Sequence, residues 1–324
     1  MTENVMRLNR APKAARRTTQ QKIKYVKRNY DLYFLVIPAL VYILIFNYLP
    51  LGGITIAFQK YNMFAAETPV ASILASPWVG FDHFAKLFSN QQFQQVFFNT
   101  LIISFLKIVF IFPLPIILAM LLNEVSNLYF KRTLQTIVYL PHFLSWAVVS
   151  GIFVSLLGST GIVNKAIEAM GGDKIMFLVN KSWFRAMLIL TDAWKEVGWG
   201  SIIYLAAITG VDPSLYEAAM IDGAGKFRQM RHITLPSILP TIIMMLILRV
   251  SRILDAGFEQ IFIMYNPSVY DVADIIGTYV YREGLGRMNF SFGTAVGLFN
   301  SVIAFILVIS SNFFSKRITG KSIW

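Results

Sequence analysis

Long apolar runs that alternate with short polar segments make up most of this chain. An α-helix needs roughly 20 apolar residues to cross a hydrocarbon core about 30 Å thick. Six runs approach or exceed that length, and they predict an all-α, polytopic integral membrane protein with six transmembrane helices. The predicted spans are residues 32–57, 100–122, 134–157, 183–208, 238–264 and 292–314.

The composition agrees with this pattern and excludes several kinds of chemistry. Of the 324 residues, 56% are hydrophobic, which is too many for an ordinary soluble domain. The absence of cysteine excludes disulfides, thiolate metal sites and cysteine nucleophiles. Three histidines, His83, His142 and His232, are dispersed along the chain, so we predict no metal site and expect each to be structural or interfacial.

The Lys and Arg residues fall unevenly on the two sides of the predicted spans. Residues 1–30 carry nine of them, and the segments on that side hold 17 against 8 on the other, with four more inside spans. The positive-inside rule therefore predicts cytoplasmic termini, with residues 1–30 as a basic tail. This topology accounts for the net charge of +12, so no nucleic-acid partner is expected. We expect no signal-peptide cleavage, because no small-residue cleavage site closes the first apolar run.

The most polar internal segment, residues 212–240, lies between the fourth and fifth predicted spans. Asp212 is a suitable helix N-cap, Pro213 suits the first helical position, and Gly223 can end a short helix. A second short helix over residues 226–232 can follow before the apolar run resumes. Amphipathic helices are common between spans, so an ordinary loop is the alternative to a functional element.

Two predicted spans each contain several charged residues, and each such residue costs on the order of 3 kcal/mol or more at the centre of a bilayer. The charges of the fourth span share one helical face: Asp192, Lys195 and Glu196. The charges of the fifth span are predicted to share another: Arg249, Arg252, Asp255 and Glu259.

Two interpretations of these charges are open. In the first, opposite charges pair to fix helix packing. In the second, they line a hydrated pathway for a polar solute, where nearby aromatic faces and an amide would suit a sugar ring. The candidate pathway residues are Trp194, Glu196, Trp199, Arg249, Arg252, Asp255, Phe258, Glu259, Phe299 and Asn300.

Motifs for catalysis or nucleotide binding are missing from the sequence. Residues 319–322 read TGKS, but a phosphate-binding loop would need glycine at position 315, which is serine. No paired carboxylates, nucleophile elbow or zinc-protease motif is present. We therefore predict that the chain has no catalytic residues and no cofactor, binds no ATP itself and is not an enzyme.

The spacing within the polar segment carries a resemblance to a known family. It follows the pattern EAA, three residues, G, nine residues, I, one residue, LP, and resembles the cytoplasmic EAA loop of ABC importer membrane subunits. The resemblance implies that a short helix in this loop contacts an ATPase and acts as a coupling helix. The residues assigned to that contact are Glu217, Ala218, Ala219, Asp222, Gly223, Ile233, Leu235 and Pro236.

From about residue 30 onward the chain resembles carbohydrate-importer permeases of the MalF type, in particular the LplB-like branch for polysaccharide fragments. Segments that carry this resemblance include FNYLP at 46–50, GFDHF at 80–84, FEQIF at 258–262 and TYVYR at 278–282. It implies a type I ABC importer permease fold over residues 31–324, with residues 212–236 as the coupling loop.

The resemblance also implies a cargo and partners. The chain would be a subunit of an ATP-driven oligosaccharide importer in the bacterial cytoplasmic membrane, with acidic sugars such as alginate fragments as candidate cargo. It would pair with a second homologous permease subunit, two ATPase subunits that bind the ATP, and an extracytoplasmic solute-binding protein.

Two other classes of protein are alternatives. An ion-coupled secondary transporter could also use buried carboxylates, and a membrane-embedded enzyme would need a catalytic constellation that the sequence lacks. Neither alternative explains the spacing of the EAA pattern.

Overall fold

The structure, a computed structural model, describes residue 25 and residues 27–319. Over these residues it is helical, without strands and with one isolated antiparallel bridge between Gln59 and Trp78. The predicted basic tail, residues 1–30, lies almost entirely outside the described part. The α-helices are α1 Tyr30–Ile43, α2 Pro69–Ala75, α3 Asp82–Ser89, α4 Gln91–Phe110, α5 Pro113–Glu124, α6 Leu128–Tyr139, α7 Trp146–Leu157, α8 Ile162–Ala169, α9 Lys181–Thr209, α10 Pro213–Ile221, α11 Lys226–Gln229, α12 Leu235–Ser251, α13 Phe258–Met264, α14 Tyr270–Ala273, α15 Ile276–Val280 and α16 Phe290–Thr319.

The chain divides into two compact units, Met1–Thr55 and Ile56–Trp324. In the first unit, α1 is predominantly apolar after Asp31 in its first turn and buries none of its side chains, as expected for a helix in lipid. Beyond α1 the backbone continues as a π-helix, Leu44–Tyr48, and then as a 3-10 helix, Leu49–Phe58. Together these stretches form a helical run that is long and apolar enough to cross a membrane.

Five helical runs among the described residues have the length and apolarity of membrane spans: Tyr30–Phe58, Gln91–Glu124, Trp146–Ala169, Lys226–Ser251 and Phe290–Phe313. The predicted fourth span is α9, a single helix of 29 residues and so about 43 Å long. Its three central charges set it apart from the apolar runs. Five apolar spans and one charged helix of sufficient length are consistent with the predicted six.

The predicted third span, residues 134–157, is wrong as one continuous helix. The chain instead forms α6, a 3-10 turn at Leu140–Phe143 and then α7, where the Ser145 hydroxyl accepts from the Val148 N–H as an N-cap. Pro141 has no backbone N–H to donate, which favours a break at this point. In this region, the helical run with the length and apolarity of a membrane span is Trp146–Ala169.

The predicted fifth span, residues 238–264, is wrong at its C-terminal end. α12 ends at Ser251, and residues 252–257 form an irregular stretch before α13. Ala256 and Gly257 have φ of 51° and 86°, which no right-handed helix contains. The four charges predicted to share one face therefore lie on three stretches: Arg249 on α12, Arg252 and Asp255 in the break, and Glu259 on α13.

The charged helix α9 packs against α5, α6 and α12 in the second unit. Two glycines allow its close approach to these neighbours. A Cβ atom on Gly198 would lie 1.8 Å from the carbonyl oxygen of Val138 on α6, and one on Gly200 would lie 3.1 Å from Pro115 on α5. Because glycine has no side chain at these positions, the middle of α9, which carries the charges, can pack closely against α5 and α6.

Candidate functional site

A cavity of about 650 Å³ lies beside the middle of α9, between that helix and residues of α4, α5 and α12. Its lining contains three cationic and three acidic side chains: Lys107, Arg249, Arg252, Asp192, Glu196 and Asp255. Aromatic side chains complete the wall: Phe112, Trp146, Trp199 and Tyr204. A cavity of this size, with charges and aromatic faces together, has the composition of a binding site for a polar solute.

The charges in this cavity pair in a definite order. Lys107 and Asp192 are both buried, and the Lys107 Nζ lies 3.1 Å from an Asp192 carboxylate oxygen. A guanidinium nitrogen of Arg249 lies 3.7 Å from the same oxygen, but 46% of the Arg249 side chain is exposed. The negative charge of Asp192 is therefore matched mainly by Lys107, which leaves Arg249 as a cation available to the cavity.

Lys107 is fixed by a second buried partner. Its Nζ donates to the side-chain oxygen of Gln260 at 2.5 Å, and the Gln260 amide donates to the Leu188 carbonyl and the Thr191 hydroxyl, each at 2.7 Å. A Cβ on Gly257 would lie 2.6 Å from the Lys107 Nζ, so the glycine leaves the space that the ammonium occupies. The break after α12 thus helps to place the buried cation.

A second wall of the cavity is built around Trp199 and Glu196, one turn apart on α9. The His142 imidazole stacks on the Trp199 indole, with ring centroids 4.5 Å apart and planes 2° from parallel. The His142 Nδ1 also lies 2.8 Å from a Glu196 carboxylate oxygen. Lys195 donates to the carbonyl oxygens of His142 and Leu144 at 2.5 and 2.8 Å, and so holds the break between α6 and α7 against this wall.

The structure brings half of the predicted pathway residues together and places the other half elsewhere. Those that line the cavity are Glu196, Trp199, Arg249, Arg252 and Asp255. The other five lie outside its lining. Three are aromatic and pack against other rings: Trp194 meets Phe153 edge to face, Phe258 stacks on Phe262, and Phe299 packs on Phe88 and Phe93. Glu259 is exposed, and the side-chain oxygen of Asn300 is buried without a hydrogen-bond partner.

The sequence does not predict a site role for Lys107, His142 and Gln260, nor for the lining aromatics Phe112, Trp146 and Tyr204. Lys107 is a lone cation in an otherwise apolar run, so its partner on α9 cannot be found from spacing along one helix. His142 follows a proline at the helix break, and a break of this kind was the available signal. For Gln260 no local pattern exists.

The segment predicted as the coupling loop, residues 212–236, forms a helical elbow after α9. The structure has its first helix at α10, and the Asp212 carboxylate accepts a 2.9 Å hydrogen bond from the Ser214 N–H, which lowers the pKa of Asp212. Gly223 has φ of 71° and reverses the chain after this helix. A Cβ on Gly223 would meet nothing within 4 Å, so this position requires glycine for its backbone conformation and not for space.

The helix α10 exposes several large apolar side chains although it lies in a polar segment. Leu215, Met220 and Ile221 are exposed, Ile221 by 88%, and Glu217 is also exposed. Ala218 is exposed as well and Ala219 is half-buried, so the two residues that follow Glu217 contribute only small side chains. A short helix with exposed apolar and acidic side chains is suited to insertion into a groove of another protein.

Two contacts connect the elbow to the spans. The Tyr216 hydroxyl lies 2.9 Å from the Thr234 hydroxyl, at the end of the π-helix Met230–Thr234 that leads into α12. The Lys226 Nζ lies 3.0 Å from Glu124, the last residue of α5. The assigned residues Ile233, Leu235 and Pro236 belong to this junction, where Ile233 and Leu235 are half-buried and Pro236 is exposed.

Comparison with known proteins identifies the family. Residues 111–320 match the family model described as "Binding-protein-dependent transport system inner membrane component". This range contains the elbow and most of the cavity lining, whereas Lys107 precedes it. The chain belongs to this family.

Relatives across nearly the whole chain agree with that assignment. Protein LplB of Bacillus subtilis is 46% identical over 300 residues, which are 92% of each chain. The polygalacturonan/rhamnogalacturonan transport system permease protein YteP of the same organism is 46% identical over 303 residues, 93% of this chain and 92% of that protein.

A solved structure agrees as well. It is described as a bacterial ABC transporter involved in the import of the acidic polysaccharide alginate, and its matching chain superposes with a TM-score of 0.85 at 42% identity. The match covers 92% of this chain and 99% of that one.

This binding-protein-dependent transport component is therefore a multi-pass membrane permease of an ABC importer. It is a transport subunit and not itself an enzyme, as the sequence predicted. The family assignment does not favour the alternative of an ion-coupled secondary transporter.

Proposed function

We propose that this permease forms one half of a pathway for acidic oligosaccharides and that the charged cavity is part of it. The observation that carries the proposal is the pairing order in the cavity: Lys107 neutralises Asp192 in the interior, and Arg249 keeps a half-exposed guanidinium. A guanidinium in a site partly shielded from water binds a carboxylate through charge-assisted and often bidentate hydrogen bonds. Relatives named for alginate and for polygalacturonan/rhamnogalacturonan transport support this class of cargo.

The rest of the cavity lining suits the other parts of such a sugar. The Trp199 indole offers a flat surface for the apolar face of a pyranose ring, and Glu196 beside it can accept hydrogen bonds from hydroxyl groups. Arg252 lines the same cavity and adds a second cation. Carboxylate, ring face and hydroxyls of a uronic-acid unit would each meet a complementary group.

Replacing Arg249 by Gln is expected to weaken transport of an acidic oligosaccharide by about 5- to 20-fold in apparent KM, because a charged hydrogen bond in a partly exposed site is lost. Asp192 retains Lys107 as its partner, so the variant should assemble normally. The measurement is uptake by the reconstituted complex of an alginate oligosaccharide and of its neutral methyl ester. For each sugar the apparent KM of the variant is divided by that of the wild type. Any preference of the binding protein for one sugar affects both values equally and so drops out of the ratio.

Two further variants serve as controls for this experiment. Arg249→Lys keeps a cation, so its apparent KM for the acidic sugar should rise less than that of Arg249→Gln. Arg287→Gln removes an exposed arginine outside the cavity lining and should leave the uptake of both sugars unchanged. An equal loss for acidic and neutral sugar in Arg249→Gln would contradict recognition of the carboxylate and favour a purely structural role.

The elbow, residues 212–236, is proposed to couple this permease to ATPase subunits. The exposed apolar surface of α10 would fill an ATPase groove, and its links to α5 and α12 would pass movement to helices that line the cavity. The proposed assembly contains a second homologous permease subunit, two ATPase subunits that bind the ATP, and an extracytoplasmic solute-binding protein. This chain would itself need no cofactor.

The proposed topology has residues 31–324 as the permease domain in the bacterial cytoplasmic membrane, with both termini and the elbow in the cytoplasm. The chain has no native cysteine, so single cysteines at Lys131, Lys226 and Ser322 report their own side alone; Ser322 lies outside the described residues. All three should resist an impermeant thiol reagent added to intact cells and react once the cells are opened. Labelling of position 226 in intact cells would overturn this topology.

A further inference from the structure

His142 supports the aromatic wall of the cavity from behind. The His142 imidazole covers one face of the Trp199 indole, and Phe143 meets the same indole edge to face at 5.5 Å. Trp199 remains 43% exposed and lines the cavity. Because one face of the indole is occupied by His142, the free part of the ring is held toward the cavity in a single orientation.

The same histidine also holds the neighbouring carboxylate. One Glu196 oxygen lies 2.8 Å from the His142 Nδ1, and the other lies 3.7 Å from the Lys195 Nζ. The contact with His142 fixes the Glu196 side chain next to the indole, and the Lys195 ammonium partly balances its negative charge. A nearby uronate carboxylate is then repelled less strongly than by an isolated glutamate.

The position of His142 is itself determined by the fold. Lys195 donates to the carbonyl oxygens of His142 and Leu144, which are freed where the helix breaks at Leu140–Phe143. Lys195 and Glu196 are adjacent on α9, so one segment of that helix both anchors the break and receives the imidazole. The hydrogen bonds from Lys195 would be enough to satisfy the carbonyl oxygens at the break. The additional contacts of the imidazole with Glu196 and Trp199 are not needed for that purpose.

We propose that His142 is a positioning residue for sugar recognition: it backs Trp199 and fixes Glu196, so that the apolar face of one pyranose ring meets the indole while its hydroxyls meet the carboxylate. This inference rests on the proposed function of the cavity as an oligosaccharide pathway. The sugar ring would stack on a wall made of α9 and the α6–α7 break, whereas Arg249 would bind the sugar carboxylate separately.

The experiment compares three substitutions of His142 in the full reconstituted complex, with apparent KM and maximal rate of uptake measured for an alginate oligosaccharide. His142→Ala removes both contacts and should raise the apparent KM by about 3- to 10-fold, with a smaller change in maximal rate. His142→Phe keeps a ring against Trp199, and His142→Gln keeps a hydrogen-bonding group for Glu196. Each should recover part of the loss.

A matched control is His83→Ala, which removes a histidine bound to the Gln59 carbonyl outside the cavity lining and should leave the apparent KM unchanged. If the three His142 variants lower only the maximal rate, or leave transport unchanged, while Trp199→Ala raises the apparent KM, the positioning role is wrong and the pathway stands. If Trp199→Ala and Glu196→Gln also leave the apparent KM unchanged, the cavity is not the pathway, and both the inference and the proposed function of this site fail.

Discussion

Replacing Lys107 by Met is expected to destabilise this permease by about 3–5 kcal/mol, because the change leaves the Asp192 carboxylate buried with its main partner removed. Lys107 and Asp192 have side-chain exposures of only 3% and 8%, so water cannot replace the lost ammonium. Arg249 is too far away, at 3.7 Å, to take over fully. The measurement is thermal unfolding of the purified protein in detergent, read as a lowered midpoint and a loss of intact complex.

Two companion variants show whether the loss arises from the stranded charge. Lys86→Met removes an exposed lysine on α3 and should change the free energy of unfolding by less than about 0.5 kcal/mol. The double variant Lys107→Met with Asp192→Leu removes both charges and should recover much of the stability, because no uncompensated carboxylate remains. Stability equal to the wild type in Lys107→Met alone would show that the pair does not hold the interior of this unit.

Replacing Gly223 by Val is expected to uncouple transport from ATP hydrolysis. The glycine has φ of 71°, and a β-branched side chain in this left-handed region costs on the order of 1–2 kcal/mol, so the end of α10 must rearrange. Sugar uptake should fall, and ATP hydrolysis should no longer respond to the loaded binding protein. The spans are unaltered, so the permease should still insert into the membrane.

The neighbouring glycine provides a matched control for this prediction. Gly225 has φ of −67° and ψ of 165°, which any residue can adopt, and a Cβ there also meets nothing within 4 Å, so Gly225→Val should remain coupled. Gly223→Asn should recover part of the function, because asparagine tolerates the left-handed region. Glu217→Lys, which reverses an exposed charge on α10, should uncouple as Gly223→Val does. Normal transport with sugar-stimulated ATP hydrolysis in Gly223→Val and Glu217→Lys would refute the coupling role of the elbow.

Local sequence signals account for much of the fold. Apolar runs of span length identify the membrane helices, and Asp212, Pro213 and Gly223 identify α10 within one residue, because capping, proline geometry and a left-handed turn act over a few residues. The same locality explains why the third and fifth predicted spans are wrong as continuous helices. A helix break inside an apolar run leaves hydropathy unchanged, and only Pro141 and Gly257 signal where the third and fifth predicted spans are interrupted.

The candidate site was less accessible to sequence reasoning because its contacts join distant parts of the chain. Glu196 and Trp199 were found together since they lie one turn apart on one helix. The pairing of Lys107 with Asp192 spans 85 positions and depends on how α4 and α9 pack. For Phe299 the ring type suits a sugar platform, and in the structure the ring packs in an aromatic cluster with Phe88 and Phe93. Residue type alone does not distinguish a binding face from a packed core.

The most direct test of the proposed pathway is a structure of the assembled importer, trapped during transport with an acidic oligosaccharide inside. Sugar is expected in the cavity beside α9, with a carboxylate within hydrogen-bonding distance of the Arg249 guanidinium and a pyranose ring against the free face of Trp199. Sugar held elsewhere in the permease, with Arg249 still turned to Asp192 and this cavity empty, would contradict it.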